Sequence, residues 1–399
     1  MATTSSVENS TRVLPSAPRT RQPSLWQRLW KSRTSYLMLL VFFVPFTIFS
    51  IYPIINSAYL SMTDYSGSPN KPLEFLGTAN FGDLLRLEVI TLPRSIDEET
   101  GEVLFRCGRK NVLGAEVAAL VADGATCNPA YESARGRMSE GFQEWRTVFT
   151  NGQSEIIIGA IDPRFWTAIY NTAVYVLVTV VIRLVLGLAL ALILQHQSRR
   201  NMILRTIFFL PSVTAGIAVT IVWGWIFRGQ SYGLINSVRL QLGATEIIPF
   251  LNDPNWSLPI LMFLAVWGGI GYNMILYLAG LQSIGAEYYE AATVDGAKTR
   301  DKFWYITLPL LRPTTIFLVI TGVIGSFQVF DTAYILYASA GQGMGGPLDS
   351  ALTVVGYLYE RGFRLFQLGY ASAIAWILFI VIFIFTLINL RVGRGNEGY

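Results

Sequence analysis

The sequence predicts an all-α membrane protein of six transmembrane helices, with a mixed extracytoplasmic insert between the first and second. Three observations carry that expectation. First, the 399 residues are 52% hydrophobic and only 14% charged, whereas an average soluble domain carries about 25% charged residues. Second, the apolar residues gather in six runs, 36–55, 167–194, 203–227, 258–284, 314–337 and 371–390. Each is long enough, at 1.5 Å per residue, to cross a hydrocarbon core of about 30 Å. Third, 15 of the 26 acidic and 10 of the 30 basic residues fall in the single stretch 64–166.

The runs read as helices because a spanning barrel would need alternating strands of about ten residues. Pro45, Pro53, Pro211 and Pro259 fall inside or beside them, which is tolerable where neighbouring groups satisfy the freed carbonyls. The first run is too long for a cleaved signal, follows 35 residues, and precedes no small-x-small site. Residues 1–35 read as a basic cytoplasmic tail, its early part disordered. Leu25, Trp26, Leu29 and Trp30, with Arg28 and Lys31 between them, fit either a short interfacial helix or a plain basic anchor. The expected organisation is that tail, a first transmembrane helix at 36–63, the insert at 64–166, a five-helix core at 167–390 with a cytoplasmic loop at 285–313, and a cytoplasmic tail at 391–399.

Orientation follows from basic residues in short loops. Fifteen flank one side: six before the first span, then Arg199, Arg200, Arg205, Lys298, Arg300, Lys302, Arg312, Arg391 and Arg394. Only Arg228, Arg239, Arg361 and Arg364 flank the other. Both termini are therefore expected in the cytoplasm and the insert outside. Within the insert, 114–122 and 140–149 read as helical and 156–158 as a short strand. Cys107 and Cys127 enclose 19 residues in an oxidising compartment, as a disulfide or as two unpaired thiols.

Composition also excludes functions. One histidine, His196, and two cysteines argue against a His/Cys metal site. No Gly-Lys dipeptide occurs, so there is no P-loop, and any ATP used must be hydrolysed by another chain. A net charge of +4 gives no nucleic-acid footprint. Residues 340–347 are glycine-rich but face outside and precede no Lys-Ser/Thr pair, so they read as a mobile loop near a docking surface or as a plain connection.

The most informative stretch is 287–313. Glu290-Ala291-Ala292 is a good helix former with small side chains. Asp295-Gly296 supplies a turn with a residue able to take positive φ. From Ala297 to Ile306 a helix restarts with Phe303 and Ile306 on one face, and Pro309 and Pro313 end it. On these residues alone, the stretch is an amphipathic interfacial helix pair.

Glu290-Ala291-Ala292, then Asp295-Gly296-Ala297, then Ile306-x-Leu308-Pro309-x-x-x-Pro313 closely resembles the EAA loop of binding-protein-dependent ABC importer permeases, nearest to the maltose and glycerol-3-phosphate type for sugars and related solutes. Phe75-Leu76-Gly77 with Asn80-Phe81, Phe330-Asp331, Gly345-Gly346-Pro347 and Gly369 to Ala373 agree with that family. The resemblance covers 36–82 and 162–391; residues 84–161 depart from it. It implies a non-catalytic subunit in a bacterial or archaeal inner membrane. The implied partners are a second permease subunit, two copies of an ATPase holding ATP and Mg, an extracytoplasmic substrate-binding protein, and lipid. Glu290 to Pro309 would form coupling helices seated in a groove of the ATPase, with Gly296 as the bend.

Intramembrane polar residues are functional candidates by default. Arg183 and Asp331 differ in expected depth by about 15 Å, too far to pair, so Arg183 is expected to snorkel inward or to bond helix carbonyls, with substrate contact the lesser alternative. Tyr272 and Asn273 in the fourth run, with Gln328 and Asp331 in the fifth, suit a carbohydrate path of aromatic faces beside amides and a carboxylate. Glycines such as Gly268, Gly269, Gly271 and Gly325 equally suit close helix packing. Trp223 and Trp225 fit an interface belt. The rivals are an ion-gradient-driven transporter, which would want several buried carboxylates, a membrane hydrolase, which would want paired His or Asp/Glu groups, and a scaffold whose external domain is the working part.

Overall fold

The computed structural model describes residues 33–68, 70–150, 153–338 and 341–394. The expected tail helix at 25–30 and Ala340 of the glycine-rich stretch lie outside them. The chain divides into a unit ending at Asn56 and a unit beginning at Ser57. Among the described residues, four helices are long and apolar enough to span a membrane: α1 (Leu37–Leu60), α4 (Pro163–Leu194), α8 (Pro254–Gln282) and α14, whose span is Leu368–Arg391.

The third and fifth predicted runs are not straight spans. The third is α5 (Arg199–Val213) and α6 (Gly216–Ile226), bent by 96°, and the fifth is α10 (Thr299–Leu310) and α11 (Arg312–Phe327), bent by 59°. Local chemistry accounts for the first, and a proline device stands just before the second. Pro211 lies in the last turn of α5, Thr214 Oγ1 closes that turn on Leu210 O at 2.8 Å, Thr214 is extended and Ala215 is non-helical. In α10 a π turn at Phe303–Thr307 directly precedes Leu308-Pro309, and Leu308 N–H bonds Phe303 O. The same device occurs in α1, where a π turn at Thr47–Ile51 precedes Tyr52-Pro53 and Tyr52 N–H bonds Thr47 O. Widening the helix by one residue gives the proline ring, which cannot donate, room against the preceding turn. A further correction concerns the end of the fifth run: α11 stops at Phe327, and Asp331 opens a separate short helix, α12 (Asp331–Ala333), that continues as a π turn to Ala338.

The insert is mixed α/β. Helix α2 (Ala79–Leu85) leads into β1 (Leu87–Pro93), which pairs antiparallel with β6 (Ser154–Ala160), and β6 pairs with β5 (Gln143–Thr150). A second sheet holds β2 (Leu104–Cys107) between β3 (Lys110–Leu113) and β4 (Cys127–Pro129), with α3 (Gly114–Ala122) following β3. The expectation of a helix at 140–149 is corrected: β5 carries Trp145, Thr147, Val148 and Phe149, residues that favour a pleated surface, and β6 offers it a ladder. Cys107 and Cys127 stand opposite one another on β2 and β4 and are joined by a disulfide. Asn80 on α2 is buried and donates to Ser61 O and Thr63 O, both at 2.9 Å. The Asn80-Phe81 pair thus ties the insert's first helix to the chain leaving α1.

The membrane core packs α4 against α8, α8 against α5, and α11 against α4 and α14. Its central cluster includes Tyr175, Leu261, Phe327, Tyr337 and Ile374, and a second cluster around Tyr277, Leu281 and Leu311 closes the end near α9 (Ala286–Val294). At Gly271 the backbone of α5 comes so close to α8 that a Cβ there would stand 2.0 Å from Phe208 O. Two shorter helices are α7 (Leu234–Gln241) and α13 (Val354–Tyr359), the latter extended by a π turn to Arg364.

Candidate functional site

The α9–α10 element is built from a clean helix stop. Asp295 caps α9, Gly296 N–H bonds Thr293 O at 3.1 Å, and Ala297 N–H bonds Ala292 O at 2.9 Å. This pair of bonds is the Schellman ending, which needs a residue of positive φ at its bend, and Gly296 has φ +79°. Asp301 then accepts from Lys298 N–H at 3.0 Å to open α10. Two side-chain bonds hold the helices together: Tyr289 Oη with Thr307 Oγ1 at 3.0 Å, and Lys302 Nζ to Thr293 Oγ1 at 2.6 Å.

Glu290, Ala291, Asp295, Gly296 and Pro309 are exposed, while Ala292, Ala297, Phe303, Ile306 and Leu308 are half-buried. The inward group thus includes Phe303 and Ile306. Phe303 borders a cleft of about 840 Å³ together with His196, Gln282, Tyr289, Arg300 and Lys302. The outward face carries Val294 at 89% exposure and Tyr305 at 79%. Val294 adjoins the hydrogen-bonded turn and Tyr305 lies on α10, and such exposed apolar groups suit contact with a partner.

At membrane depth the four predicted path residues do not share one face. Tyr272 is exposed on α8, but Asn273, about 100° further round the helix, is buried, and a Cβ on Gly187 of α4 would lie 2.6 Å from Asn273 Cβ. Gln328, just past the end of α11, and Asp331, at the start of α12, are both exposed. Trp223 does not sit singly in a belt; its ring packs against Phe227, Phe263 and Trp267 with centroids 5.0–5.6 Å apart. Arg183 neither snorkels to an end nor bonds a carbonyl: it crosses from α4 over Gly269 of α8, and its Nη2 donates to Ser326 Oγ of α11 at 3.1 Å.

Sequence reasoning missed a polar cluster at the start of α4. Asp162, buried at 5% exposure, caps α4 by accepting from Phe165 N–H at 3.1 Å. It also accepts from Tyr357 Oη at 2.5 Å, Tyr370 Oη at 2.7 Å and Arg361 Nη2 at 3.2 Å. Burial, then the Asp162 carboxylate, pushes the Tyr357 phenol well above its ordinary range. Beside it Arg164 forks onto Asp349 at 2.7 and 3.0 Å and onto Glu360 at 3.0 Å through two nitrogens. Asp162-Pro163 is a legible helix start, but its other partners lie 195–208 residues away, so no local pattern announces them.

A family model described as binding-protein-dependent transport system inner membrane component matches residues 183–395. The probable ABC transporter permease protein YesP of Bacillus subtilis (strain 168) is 40% identical over 228 residues, 57% of this chain and 72% of that one. The arabinooligosaccharides transport system permease protein AraP of the same organism is 36% identical over 239 residues, 59% and 74% of the two chains. The lactose transport system permease protein LacF of Rhizobium radiobacter is 34% identical, over 59% and 78%. Among solved structures, a bacterial ABC transporter involved in the import of the acidic polysaccharide alginate shares the fold with a TM-score of 0.62, covering 94% of this chain and 99% of that one at 20% identity.

Proposed function

We propose, from the premise that the chain belongs to the family of binding-protein-dependent transport system inner membrane components, a specific assembly and working cycle for it. The chain is a multi-pass membrane permease subunit of a carbohydrate ABC importer that works with a substrate-binding protein. It transports and does not itself catalyse. In our reading each bent helix pair is one span, giving six, both termini lie in the cytoplasm, and 64–166 lies outside. The partners are a second permease subunit and two copies of an ATPase that hold ATP and Mg. The solute is a sugar or oligosaccharide, as the names of its relatives AraP and LacF suggest.

The observation that carries this reading is the α9–α10 element. Glu290, Ala291, Ala292, Asp295, Gly296 and Ala297 make a short helix ending in a fixed turn, and Phe303, Ile306, Leu308 and Pro309 join it to α11. Small side chains at Ala291 and Ala292 let a partner surface approach the backbone. The bonds from Tyr289 to Thr307 and from Lys302 to Thr293 stiffen the element, so a push at its tip is passed to α11 as rigid-body motion and is not absorbed. ATP-driven closure of the ATPase pair would supply that push and turn the bundle from inward to outward facing.

Crosslinking tests the assignment. With cysteine at Val294 or Tyr305, both exposed, a photoreactive probe is expected to capture a nucleotide-hydrolysing protein in native membranes. Capture of lipid or of this chain alone refutes the coupling role. The charged insert is read as docking surface for the solute-binding protein or as a cover of the outer gate. Deleting residues 84–161 is expected to cut uptake at least about tenfold, and unchanged uptake would dismiss that part of the reading.

A further inference from the structure

We infer that Arg183 selects the solute by charge and that the saccharide carried bears an anionic group, a carboxylate or sulfonate. The inference rests on the carbohydrate-permease reading above and adds the substrate class to it. Arg183 lies about 17 Å from the cytoplasmic end of α4, counted along the helix, well inside the span Pro163–Leu194. A guanidinium at that depth is costly unless it is paired or faces water. Among the described residues it has no carboxylate partner: the ion pairs join Lys71 to Asp64, Arg137 to Glu132, Arg164 to Asp349 and Glu360, and Arg361 to Asp162.

Its one hydrogen-bond acceptor there is Ser326 Oγ at 3.1 Å. A hydroxyl dipole orients the group without neutralising it. The Nε is buried with no partner at all. The side chain is nevertheless seated: a Cβ on Gly269 would stand 2.4 Å from Arg183 Cδ and 3.2 Å from Nη1, so the glycine makes room for the stem and the guanidinium.

The residues next to its two contacts leave open space on α8 and on α11. Gly268 adjoins Gly269, Gly325 adjoins Ser326, and a Cβ on either Gly268 or Gly325 would meet nothing within 4 Å. One turn beyond Gly268 on the same side of α8 stands exposed Tyr272, and three residues beyond Gly325 stands exposed Gln328. Tyr272 and Gln328 thus present an exposed aromatic and an exposed amide on the two helices that flank half-buried, unpaired Arg183. An aromatic face suits a sugar ring, the amide suits its hydroxyls, and the planar guanidinium suits a carboxylate or sulfonate held through two N–H bonds. A neutral sugar would leave the cation uncompensated.

The test uses the full-length chain in its complex with the partner permease and ATPase, in lipid nanodiscs. Tryptophan fluorescence is titrated with galactotriose and with trigalacturonate, a size-matched neutral and anionic pair. Wild type is expected to bind the uronate at least about tenfold more tightly, the scale of a charge-assisted pair. R183Q is expected to lose that preference while keeping the galactotriose affinity, and R183K to keep part of it. Equal affinities in the wild type, or equal weakening of both ligands by R183Q, overturns the assignment and marks Arg183 as a packing residue. Failure of the wild type to bind either sugar overturns the carbohydrate reading itself.

Discussion

Replacing Gly296 by aspartate is expected to abolish uptake while leaving the protein inserted and assembled. The backbone at this position has φ +79°, and a Cβ would meet nothing within 4 Å. Nothing therefore has to move to admit a side chain. What remains is the intrinsic cost of the left-handed conformation, about 1–2 kcal/mol for an ordinary residue and less for Asp or Asn, whose side chains can bond locally. That is too little to unfold a bundle of this size. The loss must then arise where Gly296 is exposed, at the tip a partner would have to meet closely. Uptake in membrane vesicles is expected to fall at least about tenfold, equivalent to about 1.4 kcal/mol of coupling, with unchanged protein in the membrane. Gly296→Asn separates bulk from charge and is expected to retain more uptake than Gly296→Asp. Normal transport by Gly296→Asp would remove this turn from the coupling path.

The contrast with Pro309 shows which parts of this chain sequence could announce. The typed spacing from Glu290 to Pro309 identified both the turn and the second helix, because small residues, Asp-Gly and proline each impose a local backbone preference. It did not announce the 59° bend between α10 and α11, since hydropathy records how apolar a run is and not its direction. The same blindness hid the 96° break at Thr214, where one threonine hydroxyl and one proline three residues before it decide the path. Residues 143–150 misled for a different reason. Gln-Glu-Trp-Arg-Thr-Val-Phe-Thr has no strict alternation, and its ladder to β6 carries two register shifts, so the period-2 signal is broken by bulges. The meeting of Arg183 with Ser326, 143 residues apart, has no local signature. Each residue alone reads as an ordinary membrane polar group. Only the packing of α4 over Gly269 brings them together.

The second large effect is expected at Asp162. Removing its carboxylate with Asp162→Ala strands four donors around a buried position: the Phe165 amide, the Tyr357 and Tyr370 hydroxyls, and one nitrogen of Arg361. Breaking a buried charge pair in this way costs about 3–5 kcal/mol, and loss of the α4 cap is part of that cost. Asp162→Asn keeps an acceptor oxygen and loses the charge, so it is expected to fall between, at about 1.5–3 kcal/mol. Denaturation of the detergent-solubilised protein measures both, and a midpoint for Asp162→Ala matching wild type would show that the cluster does not hold α4 to α13 and α14. Alkaline pH offers an independent check through Tyr357. Its phenol is pushed up in the folded state, by burial first and then by Asp162. Its contribution is therefore complete below the unfolded phenol value of about 10 and is lost as pH rises through the higher folded value. Stability from this group should hold flat from neutrality to about pH 10 and decline only above it. Tyr357→Phe, which cannot ionise, should weaken that decline. The cluster also stands where β6 hands the chain to α4, so a loosened Asp162 would free the insert from the membrane core before the bundle itself unfolds. Protease sensitivity confined to 64–161 in Asp162→Ala, with the spans intact, is the signature of that order.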